Sequence, residues 1–423
     1  MRGDRAGQFA AVGGQHFRVD TVNGVVYLTG TPAGAQQVFT ADPDTFVPFA
    51  AEVVRPLIGD NSILLLFGAR HRRERKLLVP AFHGERMRAY GETIREAALA
   101  AAAAWPSDRE FVFQTSSQWI SLEVIIRAVF GVVEPGHVEA VRAAILELVA
   151  SAAPSMLFFP FMQRSFFGLG PWPRLQRARE RIDLLIAGEI AARRARADEA
   201  GEDILSLMLR ARDEEGAPMS DAELRDELLT LLFAGHETTG IALAWAIYWL
   251  HRDPERLGRL REELDAAGER PDPEVIARMP YLEAVVQETL RLHPIVPDIP
   301  RQLARPFELG GYKLPPGAAV SVATALLHSA PETFPEPDKF KPERFLGRKY
   351  TPFEYTPFGG GARRCLGAAF ATYEMKIVLA TLLGRFRLEL AESEVRPGRR
   401  NLVLGPASGV RVRYLGPRAA AGR

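Results

Sequence analysis

The chain has 423 residues, 47% hydrophobic and 25% charged, with a formal net charge of +1. So even a balance gives no global attraction for nucleic acid or an anionic membrane, and any electrostatic function must rest on a local patch. A single cysteine excludes an intrachain disulfide and any zinc or iron–sulfur centre built from several thiolates.

The N-terminal MRGDRAGQFAAVGGQHF has no apolar run of the length a signal peptide or membrane span needs. The longest apolar stretch, 241–250, is too short to span. The expectation is a cytoplasmic protein with no stable membrane anchor. Residues 16–30 read as a β-hairpin, with Val19, Val22, Val25 and Tyr27 as strand formers and Asn23-Gly24 as the turn. From about 85 to 250 the pattern is mostly helical. It is interrupted at 151–170 by SAAPSMLFFPFMQRSFFGLG, which is aromatic and punctuated by Pro and Gly.

Ser220 and Glu223 form a capping box ahead of LLTLLFAGHETTGIALAWAIYWL. That helix should run about thirty residues, roughly 45 Å. It is apolar on nearly all sides and therefore central and buried. Within it a Gly and two Thr are poor interior choices, so a groove or kink is expected there. Pro280 opens a further helix, ended by His293-Pro294. Short strands surround Pro315-Pro316-Gly317. Residues 331–364 form a long Pro-, Phe- and Gly-rich stretch, of a length that is uncommon unless functional. A last helix, about 366–386, follows Cys365 directly. No interdomain linker is visible, and one domain spanning 1–423 is expected.

The chemistry concentrates in Phe358-Gly359-Gly360-Gly361-Ala362-Arg363-Arg364-Cys365-Leu366-Gly367. The glycines permit a tight turn whose amides can approach a sulfur. A helix start and flanking arginines hold Cys365 as thiolate. Gly367 leaves the helix face bare for a flat macrocycle. A buried structural Cys would leave the glycine run and both arginines unexplained.

This segment matches the haem-binding signature F-x-x-G-x-R-x-C-x-G, and the chain resembles the cytochromes P-450. Ala234-Gly235-His236-Glu237-Thr238-Thr239 is similar to the family's oxygen-activation motif. Glu288 and Arg291 match E-x-x-R, Pro342-Glu343-Arg344-Phe345 matches the meander motif, and His71 with Arg75 resembles a haem-propionate pair. The resemblance covers nearly the whole chain. It implies a mainly α fold with small β-sheets (α+β), a triangular prism with a long central helix over the haem. Relative to the family pattern, the N-terminal helical segment is short or missing.

The resemblance implies haem b, with Cys365 as axial ligand of the iron. Phe358, Gly359, Gly367 and Ala234 lie along the haem, and His71, Arg75, Arg301 and Arg363 bind its propionates. Glu237 and Thr238 would relay protons to bound O2; the bland alternative is a surface Glu and a Thr bonded back to its own helix. His236 is read as a structural hydrogen-bond partner, not a metal ligand. Glu288, Arg291 and Arg344 would form a buried structural cluster. Phe159, Phe167, Phe233, Val296 and Ile299 are candidate pocket residues, with 151–170 as a lid over an apolar substrate. Arg70, Arg72, Arg73 and Arg364 are either a docking face for an acidic donor or a solvated charged surface.

The implied reaction is monooxygenation of an apolar organic molecule such as a lipid, terpenoid or polyketide. No FMN-, NADPH- or ferredoxin-like segment is present, so electrons would come from a ferredoxin with its reductase or a flavodoxin-type donor. A monomer that binds no nucleic acid is expected. Two other readings stay open: a peroxide-using haem-thiolate enzyme or isomerase, and a haem-binding sensor without turnover.

Overall fold

Two strands, His16–Thr21 and Gly24–Thr29, pair antiparallel, with Phe17 opposite Leu28 and Val19 opposite Val26. Thr21 pairs with Gly24, so the turn sits one residue earlier than Asn23-Gly24 suggests, and Gly24 opens the second strand at φ 116°. The Thr21 hydroxyl closes the turn by donating to Gly24 O at 2.8 Å. The structure, a computed structural model, describes residues 16–21, 23–82, 86–131, 134–152, 163, 170–196, 201–400 and 402–418.

The fold is mainly α with small sheets. The hairpin belongs to a five-stranded sheet ordered His16–Thr21, Gly24–Thr29, Ala319–Val322, Arg301–Leu303, Phe46–Pro48. Gly24–Thr29 and Ala319–Val322 run parallel, which joins the start of the chain to residues nearly three hundred positions later. Two-residue periodicity places Phe17, Val26 and Leu28 against Ala319 and Ala323. Three smaller sheets use Glu110–Val112 with Phe386–Leu390 and Arg411–Pro417, Phe307–Leu309 with Tyr312–Leu314, and Pro397–Arg400 with Val403–Pro406.

By packing, the chain divides into two compact units: Met1–Phe49, Ala98–Ser117 and Gly240–Arg423 form one, and Ala50–Ala97 with Gln118–Thr239 the other. The first holds the sheets and the helices Pro254–Ala266, Pro280–Leu292 and Ala368–Arg385. The second is built of helices, among them Gly68–Leu78 and Pro171–Ala195.

The longest helix is Asp221–Arg252, 32 residues without a break. Its start is the capping box read from the sequence. The Ser220 amide donates to Glu223 Oε2 at 2.7 Å and the Glu223 amide to Ser220 Oγ at 3.3 Å. No break occurs at the Gly235–Thr238–Thr239 weak point. Leu224, Leu228, Leu229 and Leu232 are fully buried, as are Ile241, Leu243, Ala244 and Ala246. At about 1.5–3 kcal/mol per large buried side chain, packing outweighs the poor propensity of three residues.

The helix Pro280–Leu292 starts on a proline, whose missing N–H would be unsatisfied there in any case. The next two amides, Tyr281 and Leu282, donate to the two oxygens of Glu263 at 2.8 and 2.9 Å. Among the described residues no helix is long and apolar enough to cross a membrane.

Candidate active site

The final helix begins at Ala368, and Cys365 stands three residues before it. The Cys365 amide donates to Phe358 O at 2.9 Å and closes a loop over the glycine run. Gly359 and Gly361 both adopt φ +64°, a conformation that L side chains rarely take. A Cβ on Gly360 would lie 2.3 Å from the Phe39 ring, and one on Gly361 2.1 Å from Phe39 O. The run is therefore glycine because the loop is pressed onto the helix Pro32–Thr40.

A Cβ at Gly359 or Gly367 would meet nothing within 4 Å, and Cys365 is exposed. A bare glycine face beside an accessible sulfur fits a flat macrocycle bound through that sulfur. Arg301 donates to Gly360 O at 3.1 Å and lies 5.5 Å from the ring centres of Phe39 and Phe46. Burial lowers its pKa to about 10, so it holds its proton at neutral pH. Arg363 ends the short 3-10 turn Gly361–Arg363, half-exposed, and Arg364 is exposed. Phe358 is half-buried.

The loop is anchored by the Glu288, Arg291 and Arg344 cluster. Arg291 grips Glu288 with two bonds, Nε to Oε2 at 2.7 Å and Nη2 to Oε1 at 2.9 Å. Arg344 Nε reaches Glu288 Oε1 at 3.0 Å, and the Lys341 amide donates to the same oxygen at 2.8 Å. Arg291 also donates to the carbonyls of His328, Pro337 and Lys339, and Arg344 to that of Pro335. The stretch 331–364, which lacks periodicity, is thus stitched by guanidinium-to-carbonyl bonds. Stacked rings add to it, with Phe334 on Tyr350 at 4.6 Å and Phe345 against Tyr350 and Tyr355 at 5.1 Å.

Sequence reasoning missed His328. Its Nε2 accepts the Thr356 amide hydrogen at 2.8 Å, so Nδ1 carries the proton and donates to Arg291 O at 3.1 Å. Its ring stacks on Tyr355 at 5.3 Å, and the Tyr355 hydroxyl donates to Gln287 O at 2.8 Å. The only signal, a His in an apolar stretch, is indistinguishable from an ordinary core residue.

In the other unit, the long helix carries Phe233, Ala234, Glu237 and Thr238. Ala234 is exposed and the other three half-buried, between helix stretches that are almost wholly buried. Their spacing places them along one side of the helix. The Thr238 hydroxyl donates to Ala234 O at 2.9 Å, the back-bond of the bland alternative. This spends its hydrogen and leaves its lone pairs as acceptors. His236 points the other way, buried, with Nδ1 3.1 Å from Leu232 O, and burial lowers its pKa. A Cβ on Gly235 would stand 3.1 Å from Ile125, so that glycine serves helix packing.

His71 and Arg75 lie on the helix Gly68–Leu78, His71 buried and Arg75 half-buried. Arg73 is not available to a docking face. It bonds Glu74, Asp213 and Glu223 at 2.5, 2.6 and 3.1 Å, a local neutralisation by residues far along the chain. Arg70 donates to Asn61, and both Arg70 and Arg72 are exposed. Val296 is half-buried and Ile299 is 61% exposed. Phe159, Phe167 and the remainder of the expected lid lie outside the described residues, except for 151, 152, 163 and 170.

A family profile described as Cytochrome P450 matches residues 5–411. The chain is 38% identical over 397 residues to the putative cytochrome P450 135B1 of Mycobacterium tuberculosis, covering 93% of this chain and 83% of that one. It is 36% identical over 410 residues to the putative cytochrome P450 138 of the same species, covering 96% and 90%. Among solved structures it is similar to the retinoic acid-bound cyanobacterial CYP120A1, with a TM-score of 0.84, 28% identity, and 97% and 94% coverage. The haem domain of cytochrome P450DA shares the fold at the same TM-score with 24% identity, over 95% and 90% of the chains.

Proposed function

From the premise that this chain belongs to the cytochrome P450 family and is a haem-dependent monooxygenase of that family, we propose that it hydroxylates or epoxidises a bulky, largely apolar molecule. A lipid, terpenoid or polyketide fits this reading, with haem b as the prosthetic group and 1–423 acting as one domain. The balance is RH + O2 + two electrons + two protons giving ROH and water. When bound, a thiolate-ligated haem supplies O2 activation and O–O cleavage.

The roles of the chain's own residues follow from their chemistry. Cys365 would hold the haem iron through its sulfur, on a loop seated against Phe39 by Gly360 and Gly361. Arg301, Arg363, His71 and Arg75 would bind the propionates of a haem, and Phe358, Gly359, Gly367 and Ala234 would lie along its macrocycle. Glu237 supplies a carboxyl and Thr238 an accepting hydroxyl for proton delivery. Phe233, Val296 and Ile299 would contribute to the apolar pocket. Glu288, Arg291 and Arg344 hold the loop and do no chemistry.

Members of the family generally draw electrons from redox partners. A ferredoxin with its reductase or a flavodoxin-type donor is proposed here, attracted by exposed arginines such as Arg364 beside the ligand. The observation that carries the reading is the accessible Cys365 sulfur beside the open faces of Gly359 and Gly367. The exposed Ile299 and the retinoic acid carried by a structural neighbour support an apolar substrate.

The test has two stages. Reduced protein with CO should give the red-shifted Soret band of thiolate ligation. Spectral titration should then show tight binding of terpenoids or long-chain fatty acids. Tight binding of small charged molecules alone overturns the substrate class.

A further inference from the structure

The monooxygenase reaction consumes two protons per turnover, and Glu237 and Thr238 sit deep along the long helix. A second set of carboxyls occupies the first turns of the same helix. Glu227 is fully buried, and among the described residues neither of its oxygens has a hydrogen-bond partner. The Ile63 backbone favours its charged form, against the other causes. The charges that bear on it are carboxyls: Glu74, Asp226 and Glu223. Asp226 is matched by Arg179 at 3.1 Å and Arg225 at 2.9 Å. Arg73 is shared among Glu74, Asp213 and Glu223. The Glu223 carboxyl also raises the Glu74 pKa.

Among the described residues the carboxyls of Glu74, Asp213, Glu223, Asp226 and Glu227 stand against the guanidiniums of Arg73, Arg179 and Arg225. Either a cation or protons must offset the surplus. Among the described residues no group of three such side chains can hold a metal ion. The directions of the carboxyl shifts favour protons as the offset. Burial and the neighbouring carboxyls push the Glu227 pKa well above the ordinary carboxylate range, and burial lifts Glu74 to about 7.

The position of Glu227 on the helix gives this store a direction. At about 100° per residue, Glu223, Glu227, Thr230, Ala234 and Thr238 fall within roughly 80° of one another, a stripe about 22 Å long. Thr230 Oγ1 lies 2.7 Å from Ser62 Oγ and 2.6 Å from Asp226 O. One of these two hydroxyls therefore has a hydrogen to bridge the pair. Beyond them the stripe opens at the exposed Ala234, beside Thr238, whose lone pairs are free to accept. Glu223 is partly exposed and connects the outer end with solvent.

We propose that Glu227, fed by Glu223 and Glu74, is the inner carboxyl of a proton path that runs along this helix face to Thr238. The proposal rests on the monooxygenase reading. Glu227 passes a proton inward and regains one from Glu74, which is recharged from solvent through Glu223, so no carboxyl is changed over a turnover. It acts through Thr238 and does not touch the reacting atoms.

The test uses haem-loaded Glu227→Gln and Glu227→Asp with a surrogate electron donor. Glu227→Gln should keep the CO spectrum and the substrate-induced spectral shift. Its product per O2 should fall several-fold, with more hydrogen peroxide and a larger solvent deuterium isotope effect. Glu227→Asp, which keeps a carboxyl, should recover most of the coupling. Infrared spectroscopy near neutral pH should show the carbonyl band of a protonated carboxylic acid, lost in Glu227→Gln. Wild-type coupling and isotope effect in Glu227→Gln overturn the proposal, as does absence of the band from wild-type protein. A wild-type protein that makes no product with any donor sinks the monooxygenase reading instead, and the infrared band still decides whether the buried carboxyl holds its proton.

Discussion

His328 accepts the Thr356 amide hydrogen on Nε2 at 2.8 Å, and through this bond the helix Pro280–Leu292 reaches the Cys365 loop. Thr356 O in turn accepts from the Gly359 amide at 3.0 Å. A protonated imidazole has no lone pair for the Thr356 amide, so charging His328 must break the link.

Acid should therefore unfold the protein from this side. Burial pushes His328 and His293 down to about 3 and His251 to about 4. An unfolded chain takes up protons at these groups below about 6.5, before the folded chain does. Stability falls as pH drops through that window, by roughly 4 kcal/mol for a histidine shifted this far. Glu74, raised to about 7, works in the opposite sense: its contribution is present at low pH and lost as pH climbs from its ordinary value to 7. Glu227, also raised, acts in the same sense as Glu74. Three histidines outweigh the two carboxyls, so Tm should fall from pH 7 to pH 4. A Tm flat across that range contradicts the assignment of these histidines as neutral.

Glu288→Ala removes the single carboxylate that both Arg291 and Arg344 grip. Glu288 and Arg291 are 0% and 2% exposed, so a buried cation would be left unmatched. The expected cost is about 3–5 kcal/mol, seen as a lower denaturant midpoint and poor haem occupancy. Wild-type stability would show that the cluster is dispensable.

Cys365→Ser should abolish the thiolate-type CO spectrum, since the sequence holds no other cysteine. The loop itself should survive, because its closure uses the residue 365 amide and Phe358 O. Circular dichroism close to wild type, together with a shifted CO band, is the expected pair of results.

Thr238→Ala should retain haem and substrate binding but divert electrons to hydrogen peroxide. A positioned proton donor or acceptor is worth about 10²–10⁴-fold, so product per O2 should fall at least tenfold. Thr238→Ser keeps the oxygen that bonds Ala234 O and should be nearly normal. Equal coupling in the Ala and Ser variants would remove Thr238 from the proton route.

Much of this was legible because the signals are local. The Ser220–Glu223 box, Pro280 at a helix start and the Gly-Arg-Cys run each hold their meaning within a few residues. The turn at Thr21–Gly24 slipped by one position because strand register is set by pairing with a distant strand. His328 was invisible because its partners, Arg291 and Thr356, lie 37 and 28 positions away. Arg73 looked like a surface cation because Asp213 and Glu223 stand 140 and 150 positions further on.

The seating of Gly360 and Gly361 on Phe39 has a consequence for the order of events in the cell. These partners lie roughly 320 residues apart, and contacts of such span form late. At about 5–20 residues per second, the helix Pro32–Thr40 waits roughly 15–60 s after synthesis for the glycine run to emerge. Until then Phe39 has no loop to support and Cys365 has no fixed direction. Stable capture of haem therefore belongs to the finished polypeptide, and ribosome-bound chains stalled before residue 358 should collect none.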